Sequence, residues 1–400
     1  MKPHAFSKVR MMPAPCCLVI VLMLLAAPAM AATTEITVTK YCDNNYSAAA
    51  DSETLDLAAL QALSSVYSNG PVYMQGGTFD NATDVWTYTD DSMACFGEQS
   101  GTYVRNITDK VDGMNPGDEI KVAAPDGYGM YFNYTNVYSP APCQGEMILS
   151  WQNETHTVPD YADGIRLFFY TPSDLNFTNA DMRDSMAPWY WRIVKDKYNP
   201  SDLYPSAKGL SVKTVSDLEI YPPHRYDFNT TGDRTVYNHA YAGGVTGLPC
   251  TATDPSDLIP AIDIPKIADA DEDSHTTSSD LTGSDSAAHR FVFNVTEDPA
   301  NIEKLDITWT GTGTHADGTD GATLYIWNGI GYEQLATTSL SSEVTLTGTI
   351  TTDISDYVDG TVTVLVKQND EDDGIFESVI ATNYVKLVVT HHHRNSNFTL

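Results

Sequence analysis

The chain is poor in basic residues: 22 Lys and Arg stand against 53 Asp and Glu, for a formal charge of −31. That shortage excludes nucleic acid as a partner, because nucleic-acid affinity rests on neutralising phosphates with Lys and Arg. It also disfavours docking on anionic membrane surfaces. Long hydrophobic runs are absent after residue 31, so no permanent membrane span is expected there, and residues 391–400 form a polar tail. Cysteine is sparse, at six residues. Catalytic signatures are missing as well. The chain has no Gly-x-Ser-x-Gly elbow, phosphate-binding loop, His-Glu-x-x-His or dinucleotide fingerprint, and carboxylates are too numerous for any pair to stand out as a glycosidase dyad. No enzymatic activity is expected.

What is present begins with an export signal over residues 1–31. Lys2, Lys8 and Arg10 form a basic head, an apolar run covers residues 17–27, and Ala29-Met30-Ala31 is a small-x-small cleavage site. The run falls short of the roughly 20 apolar residues of a permanent span. Cleavage removes three basic residues and no acidic ones, leaving 19 against 53 and a formal charge of −34. The mature chain is long enough for two or three domains, and its expected location is extracellular or at the cell surface. Cys16 and Cys17 leave with the signal. The remaining Cys42, Cys95, Cys143 and Cys250 are even in number and lie in an oxidising compartment, so they read as two disulfides, with all three pairings open. Nine Asn-x-Ser/Thr sequons (Asn45, Asn81, Asn106, Asn133, Asn153, Asn176, Asn229, Asn294 and Asn397) point to a glycosylated exterior protein. Asn199 is excluded by Pro200.

Residues 32–222 read as an α+β domain. It has a strand at 35–39, then a helix carrying Leu57, Leu60, Leu63 and Val66 at helical spacing. A hairpin pairs 120–123 with 130–134 around Pro125-Asp126-Gly127, and strands follow at 147–151, 165–170 and 210–221. Residues 223–288 read as a connecting segment with an acidic linker at 268–286, built from Asp, Ser and Thr with little to bury. Residues 289–390 alternate apolar and polar positions: Phe291, Phe293 and Val295; Leu305, Ile307 and Trp309; Leu324 and Ile326; Val344 and Leu346; Val362, Val364 and Val366; Val385, Leu387 and Val389. Asn328-Gly329 is a hairpin turn signal. This pattern predicts an all-β sandwich of jelly-roll or immunoglobulin-like layout.

Residues 107–221 resemble the molybdopterin-binding domain of the sulfite-oxidase-like oxidoreductases. The likeness is carried by Gly117-Asp118-Glu119-Ile120-Lys121-Val122 before Asp126-Gly127-Tyr128, the strand from Met147 to Asn153, Gly164-Ile165-Arg166-Leu167, and Val212-Lys213-Thr214-Val215 with Ile220. The resemblance implies that fold. The family's molybdenum-ligating cysteine sits in Cys-x-Gly-Asn, whereas here Cys95-Phe96-Gly97-Glu98 lacks the Asn and no Arg/His cluster accompanies it, so no molybdenum cofactor is expected. The whole arrangement also resembles archaeal exported surface proteins that join such a domain to a C-terminal sandwich. Residues 305–309, 321–329 and 381–390 carry that likeness.

Candidate binding residues are few. Asp269, Asp271, Asp273 and Asp280 mimic an EF-hand spacing, but Ser274 stands where the turn needs glycine; the segment reads as a solvated linker that meets Ca²⁺ in weak exchange. Asp370, Glu371, Asp372 and Asp373 form a similar acidic turn. Tyr325 and Trp327 share one strand face opposite Leu324 and Ile326, an arrangement suited to stacking on a sugar ring. Trp189, Tyr190 and Trp191 read as core and lid packing. His391, His392 and His393 offer imidazoles to transition metals but read as incidental at a frayed terminus. These features predict an exported, glycosylated surface protein with a structural, adhesive or glycan-contact role toward cell-envelope components. The alternatives are an extracellular molybdenum oxidoreductase and the ligand-binding component of an exported system. No oligomeric state is implied.

Overall fold

The computed structural model describes residues 32–397 except 79–83, 89–91, 172–174, 198, 230–236, 272 and 282–283. The export segment and Asn81 lie outside the described residues.

The first half is built from short alternating strands. Ile36 and Val38 are fully buried on β1 (Glu35–Cys42), which pairs antiparallel with β2 (Asn45–Asp56). Asp56 then caps helix α1 (Leu57–Ala62) by accepting from the Ala59 N–H, and only Leu60 of that helix is buried. The helix predicted to reach Val66 stops early. Ser64 takes a left-handed φ of 57°, and β3 (Ser65–Gln75) begins. There follow β4 (Met93–Tyr103), α2 (Val104–Thr108), β5 (Glu119–Ala123), β6 (Gly129–Asn133), α3 (Tyr134–Tyr138), β7 (Glu146–Asn153) and β8 (Arg166–Tyr170). The half closes with β9 (Asn176–Phe177), α4 (Asn179–Ser185), β10 (Ile193–Lys195), β11 (Leu203–Pro205) and β12 (Asp217–Tyr221).

These strands form two five-stranded sheets, ordered β2-β1-β12-β5-β6 and β8-β7-β4-β3-β9, beside a β10-β11 ribbon. The β1–β12 pair is parallel, with Val38 opposite Leu218. Ile36, Val122 and Phe132 of one sheet share a core with Leu149, Phe168 and Phe177 of the other. The four helices have only five to seven residues each, so the sheets hold this half together. It is mostly β rather than the expected α+β sulfite-oxidase-like domain. The motif strands at 119–123, 129–133, 146–153 and 166–170 do form, but as parts of these sheets.

The second half is all antiparallel: β13 (His224–Tyr226), β14 (His239–Val245), β15 (Asp257–Leu258), β16 (His275–Ser278), β17 (Ser286–Asn294), β18 (Ile302–His315), β19 (Ala322–Trp327), β20 (Tyr332–Thr337), β21 (Val344–Ile350), β22 (Thr361–Gln368) and β23 (Ser378–His391). One sheet runs β13-β23-β18-β21, with β16 also on β23, and the other runs β15-β14-β17-β22-β19-β20. Phe291, Phe293, Leu305, Ile307, Trp309, Leu324, Val364 and Leu387 face one another between them, and the Trp309 indole donates to Thr382 Oγ1 at 2.8 Å. Gly311 lets β23 pass this Trp: a Cβ there would lie 2.1 Å from the Ala381 carbonyl oxygen. The Asn328-Gly329 turn forms as predicted, with Gly329 at φ 82° and Asn328 Oδ1 accepting from Gly331 N–H.

The predicted linker is corrected. His275 to Ser278 pair with Thr382 to Val379 of β23, and Ile267 and Ala268 are buried in the sandwich core. β13, β14 and β15 also belong to its sheets, so the sandwich reaches from His224 to His391 instead of 289–390. The physical reason is that β16 is polar and contributes backbone hydrogen bonds rather than apolar surface, which hydrophobic periodicity does not register.

Candidate functional site

The outer face of the six-stranded sheet carries the stacking residues the sequence singles out. Leu324 and Ile326 are fully buried in the sandwich core, while Tyr325 and Trp327 face away from it and are half-buried. The register places Tyr241 opposite Arg290, Arg290 opposite Leu365, and Leu365 opposite Tyr325, with Gln334 next in line. One row therefore crosses five strands. Trp327 is paired with Tyr332, ring centroids 5.2 Å apart and edge to face. The Arg290 guanidinium lies 3.9 Å from the Tyr241 ring centroid and donates from Nε to the Pro255 carbonyl at 2.9 Å. Burial pushes the Tyr325 and Tyr332 hydroxyls up, so both stay protonated. An open cleft of about 840 Å³ adjoins this face and shares Val245 and Pro255 with it.

A second constellation lies where the two halves meet. The tail is not frayed. His391 is still on β23, opposite Ile302, and the residues after it dock on the first half. His392 stacks on Trp189 at 4.0 Å, and His393 stacks on Tyr131 at 4.3 Å while its Nδ1 meets Glu119 Oε2 at 2.7 Å. Asn395 accepts from Tyr131 N–H at 2.6 Å and donates to the Tyr131 and Tyr190 carbonyls. The Ile193 N–H donates to Ser396 Oγ at 2.7 Å. Trp189 and Tyr190 thus grip the tail, and the Trp191 indole donates to the Met186 carbonyl, which is the core and lid packing expected of them.

Beside this clasp, His224, Glu297 and His391 bring their ligating atoms within 4.8 Å of one another. They come from β13, the turn after β17 and the end of β23. Sequence reasoning missed His224 and Glu297, because no spacing links three such distant positions.

The other candidates do not assemble. Asp269, Asp271, Asp273 and Asp280 are all exposed and, with β16 inserted between Asp273 and Asp280, do not converge on a common point. The acidic turn is structural: Asp370 accepts from Thr319 N–H, Asp372 from Asp285 N–H, and Asp373 from the Ile375 and Phe376 N–H groups. These backbone donors hold Asp370 and Asp373 below the usual carboxylate range.

The disulfide expectation is corrected, since Cys42, Cys95, Cys143 and Cys250 all stand as free thiols. They sit on separate elements: the end of β1, near the start of β4, the segment before β7 and the segment after β14. Cys95 is exposed on its strand opposite Tyr73 and lines none of the clefts described here. Among the described sequons Asn397 is exposed, while Asn45, Asn106, Asn133, Asn153, Asn176, Asn229 and Asn294 are partly covered. Asn133 caps α3. No helix among the described residues is long and apolar enough to cross a membrane.

The architecture is a two-sheet β-sandwich following a mostly β first half. Residues 216–391, which comprise the sandwich and the last strand before it, match a family model described as "Uncharacterized protein, C-terminal domain". No curated protein matches the chain. Among solved structures it is similar to the xylan-binding module CBM15, at 12% identity over 42% of this chain and 99% of that one, with a TM-score of 0.24. The CBM22-1-CBM22-2 tandem of Paenibacillus barcinonensis Xyn10C matches at 10% identity over 82% and 97%, with a TM-score of 0.21. The ANX1 ectodomain of Arabidopsis thaliana matches at 8% identity over 89% and 96%, also with a TM-score of 0.21.

Proposed function

We propose that this is an exported, non-enzymatic cell-surface protein whose sandwich contacts glycans through the outer face of the six-stranded sheet. The observation that carries the reading is the group of Tyr325, Trp327 and Tyr332 set beside the Arg290 row on rigid strands. Aromatic rings present an apolar face together with a polar tip, which matches a sugar ring's mixture of C–H faces and hydroxyls. Gln334 adds an exposed donor at the level of the rings, and buried Arg290, held by Tyr241 and Pro255, stiffens the row beneath them. The export signal at 1–31, the nine sequons and the mature charge of −34 support a place outside the cell.

A glycan array read with the wild type and the Tyr325→Ala/Trp327→Ala double variant tests this. Loss of retention with little change in melting temperature is expected. The two side chains are half-buried, so the variant should lose only part of the about 3–5 kcal/mol that truncating a buried Trp costs. Unchanged retention in a destabilised variant would make the pair structural. Stoichiometric molybdenum in the purified protein would favour the oxidoreductase alternative.

A further inference from the structure

We propose that His224, Glu297 and His391 form a binding site for a first-row divalent transition metal, with Zn²⁺ as its natural probe. Two imidazoles and one carboxylate are a common three-protein-ligand set for zinc sites that keep an open position. Their donor atoms lie within 4.8 Å of one another. Two ligand atoms each about 2.1 Å from a tetrahedral ion lie about 3.4 Å apart, so side-chain rotations of about an ångström gather them around one ion and separate the His224–Glu297 contact.

The backbone already fixes the geometry. β13 pairs with β23 so that His224 lies opposite Val389, which places His391 diagonally next to it along the same strand pair. Ile302 holds His391 from the other side. The His224 and His391 rings are 4.3 Å apart, and His224 Nδ1 contacts Glu297 Oε1. An outer shell is in place as well. The Tyr226 hydroxyl donates to Glu297 Oε2, and the Tyr46 ring packs edge-on against His224 at 4.0 Å. Such partners orient metal ligands and tune their affinity.

The three residues open on a cleft of about 440 Å³, which leaves space for water or a ligand atom on the ion. The ligand chemistry excludes Ca²⁺, which takes six to eight oxygen ligands, whereas this group offers one carboxylate and two nitrogens.

The test uses the full mature chain, stripped with a chelator and titrated with Zn²⁺ by calorimetry. One ion per chain is expected, with no competition from millimolar Ca²⁺. Glu297→Gln and His391→Asn should each weaken binding at least tenfold, and Tyr226→Phe by about 10–100-fold, with the far-UV circular dichroism unchanged. Should a ligand variant fail to fold, Co²⁺ on the wild type decides. Intense visible absorption of low-symmetry nitrogen and oxygen coordination supports the site, and the weak spectrum of the hydrated ion overturns it. Sub-stoichiometric binding, full affinity in both Glu297→Gln and His391→Asn, or affinity lost in His393→Asn but kept in His391→Asn would also overturn it.

Discussion

His289 shows what a single polar residue does inside this sandwich. It is fully buried, with Nδ1 at 2.8 Å from Thr382 Oγ1 and Nε2 at 2.9 Å from Thr277 Oγ1. Burial, with His275 beside it, pushes its pKa down to about 3. His275 is also lowered, mainly by burial, against the pull of Asp263 and with Lys266 adding to it. His289 stays neutral in the folded chain and His275 takes up a proton less readily than in the unfolded chain, where both protonate near the ordinary 6.5. Below that value the unfolded state binds more protons, so stability is full above about pH 6.5 and falls as the pH drops, until about 3 for His289. Each histidine adds up to about 1.4 kcal/mol per pH unit. Thermal melts at pH 7.5, 5.5 and 4.5 should show this decline, and His289→Gln should make it shallower; parallel profiles would refute the assignment. The cysteines give a second expectation at this scale. Native, non-reducing alkylation followed by mass spectrometry should label four thiols, with exposed Cys95 and Cys250 first. Cys143 should lag, because burial and Asp181 push its thiol up. A disulfide-linked peptide pair would contradict the structure.

Among the elements, what the sequence shows depends on whether a strand buries apolar surface. Strands β17, β18, β19, β22 and β23 carry Phe, Ile, Leu and Val on alternate positions and are readable from periodicity alone. β16, reading His-Thr-Thr-Ser, is not, because a polar strand has the composition of a linker. Helix α1 failed in the opposite direction, because helical spacing of Leu57, Leu60, Leu63 and Val66 does not foresee the left-handed turn at Ser64. The order of the tail is not legible locally, because its partners Glu119, Tyr131 and Ile193 lie in the other half of the chain. Amide hydrogen exchange should find the paired amides of 275–278 protected, and a protease should leave that stretch uncut; rapid exchange there would restore the linker. Asn395→Ala removes the acceptor for Tyr131 N–H and the donor to two carbonyls. Leaving such groups unmet costs about 1–3 kcal/mol, measurable as a lower urea midpoint.

At the scale of the whole molecule, the aromatic pair Tyr325 and Trp327 was legible as a face, since period-2 alternation sets side. The His224–Glu297–His391 group was not, since only strand pairing and a turn bring those positions together. The domain boundary shifts for the same reason. A fragment of 289–390 lacks β13, β14 and β16, and β17 would lose the partner that sets Tyr241 against Arg290. That fragment should be unfolded by circular dichroism, and 223–391 should fold; a folded short fragment would refute the wider sandwich.

The parallel β1–β12 pair and the tail clasp bear on the order in which the molecule is completed. Strand 35–42 acquires its central neighbour only when residues 217–221 are available, and the contacts of Glu119, Tyr131 and Ile193 wait for residues 393–396. Non-local pairings of this kind slow folding. A chain delivered amino-terminus first therefore cannot finish its leading half while it is still being delivered. Its earliest strands stay incompletely paired until the carboxyl end arrives, and that interval is when it most needs protection from association with other chains.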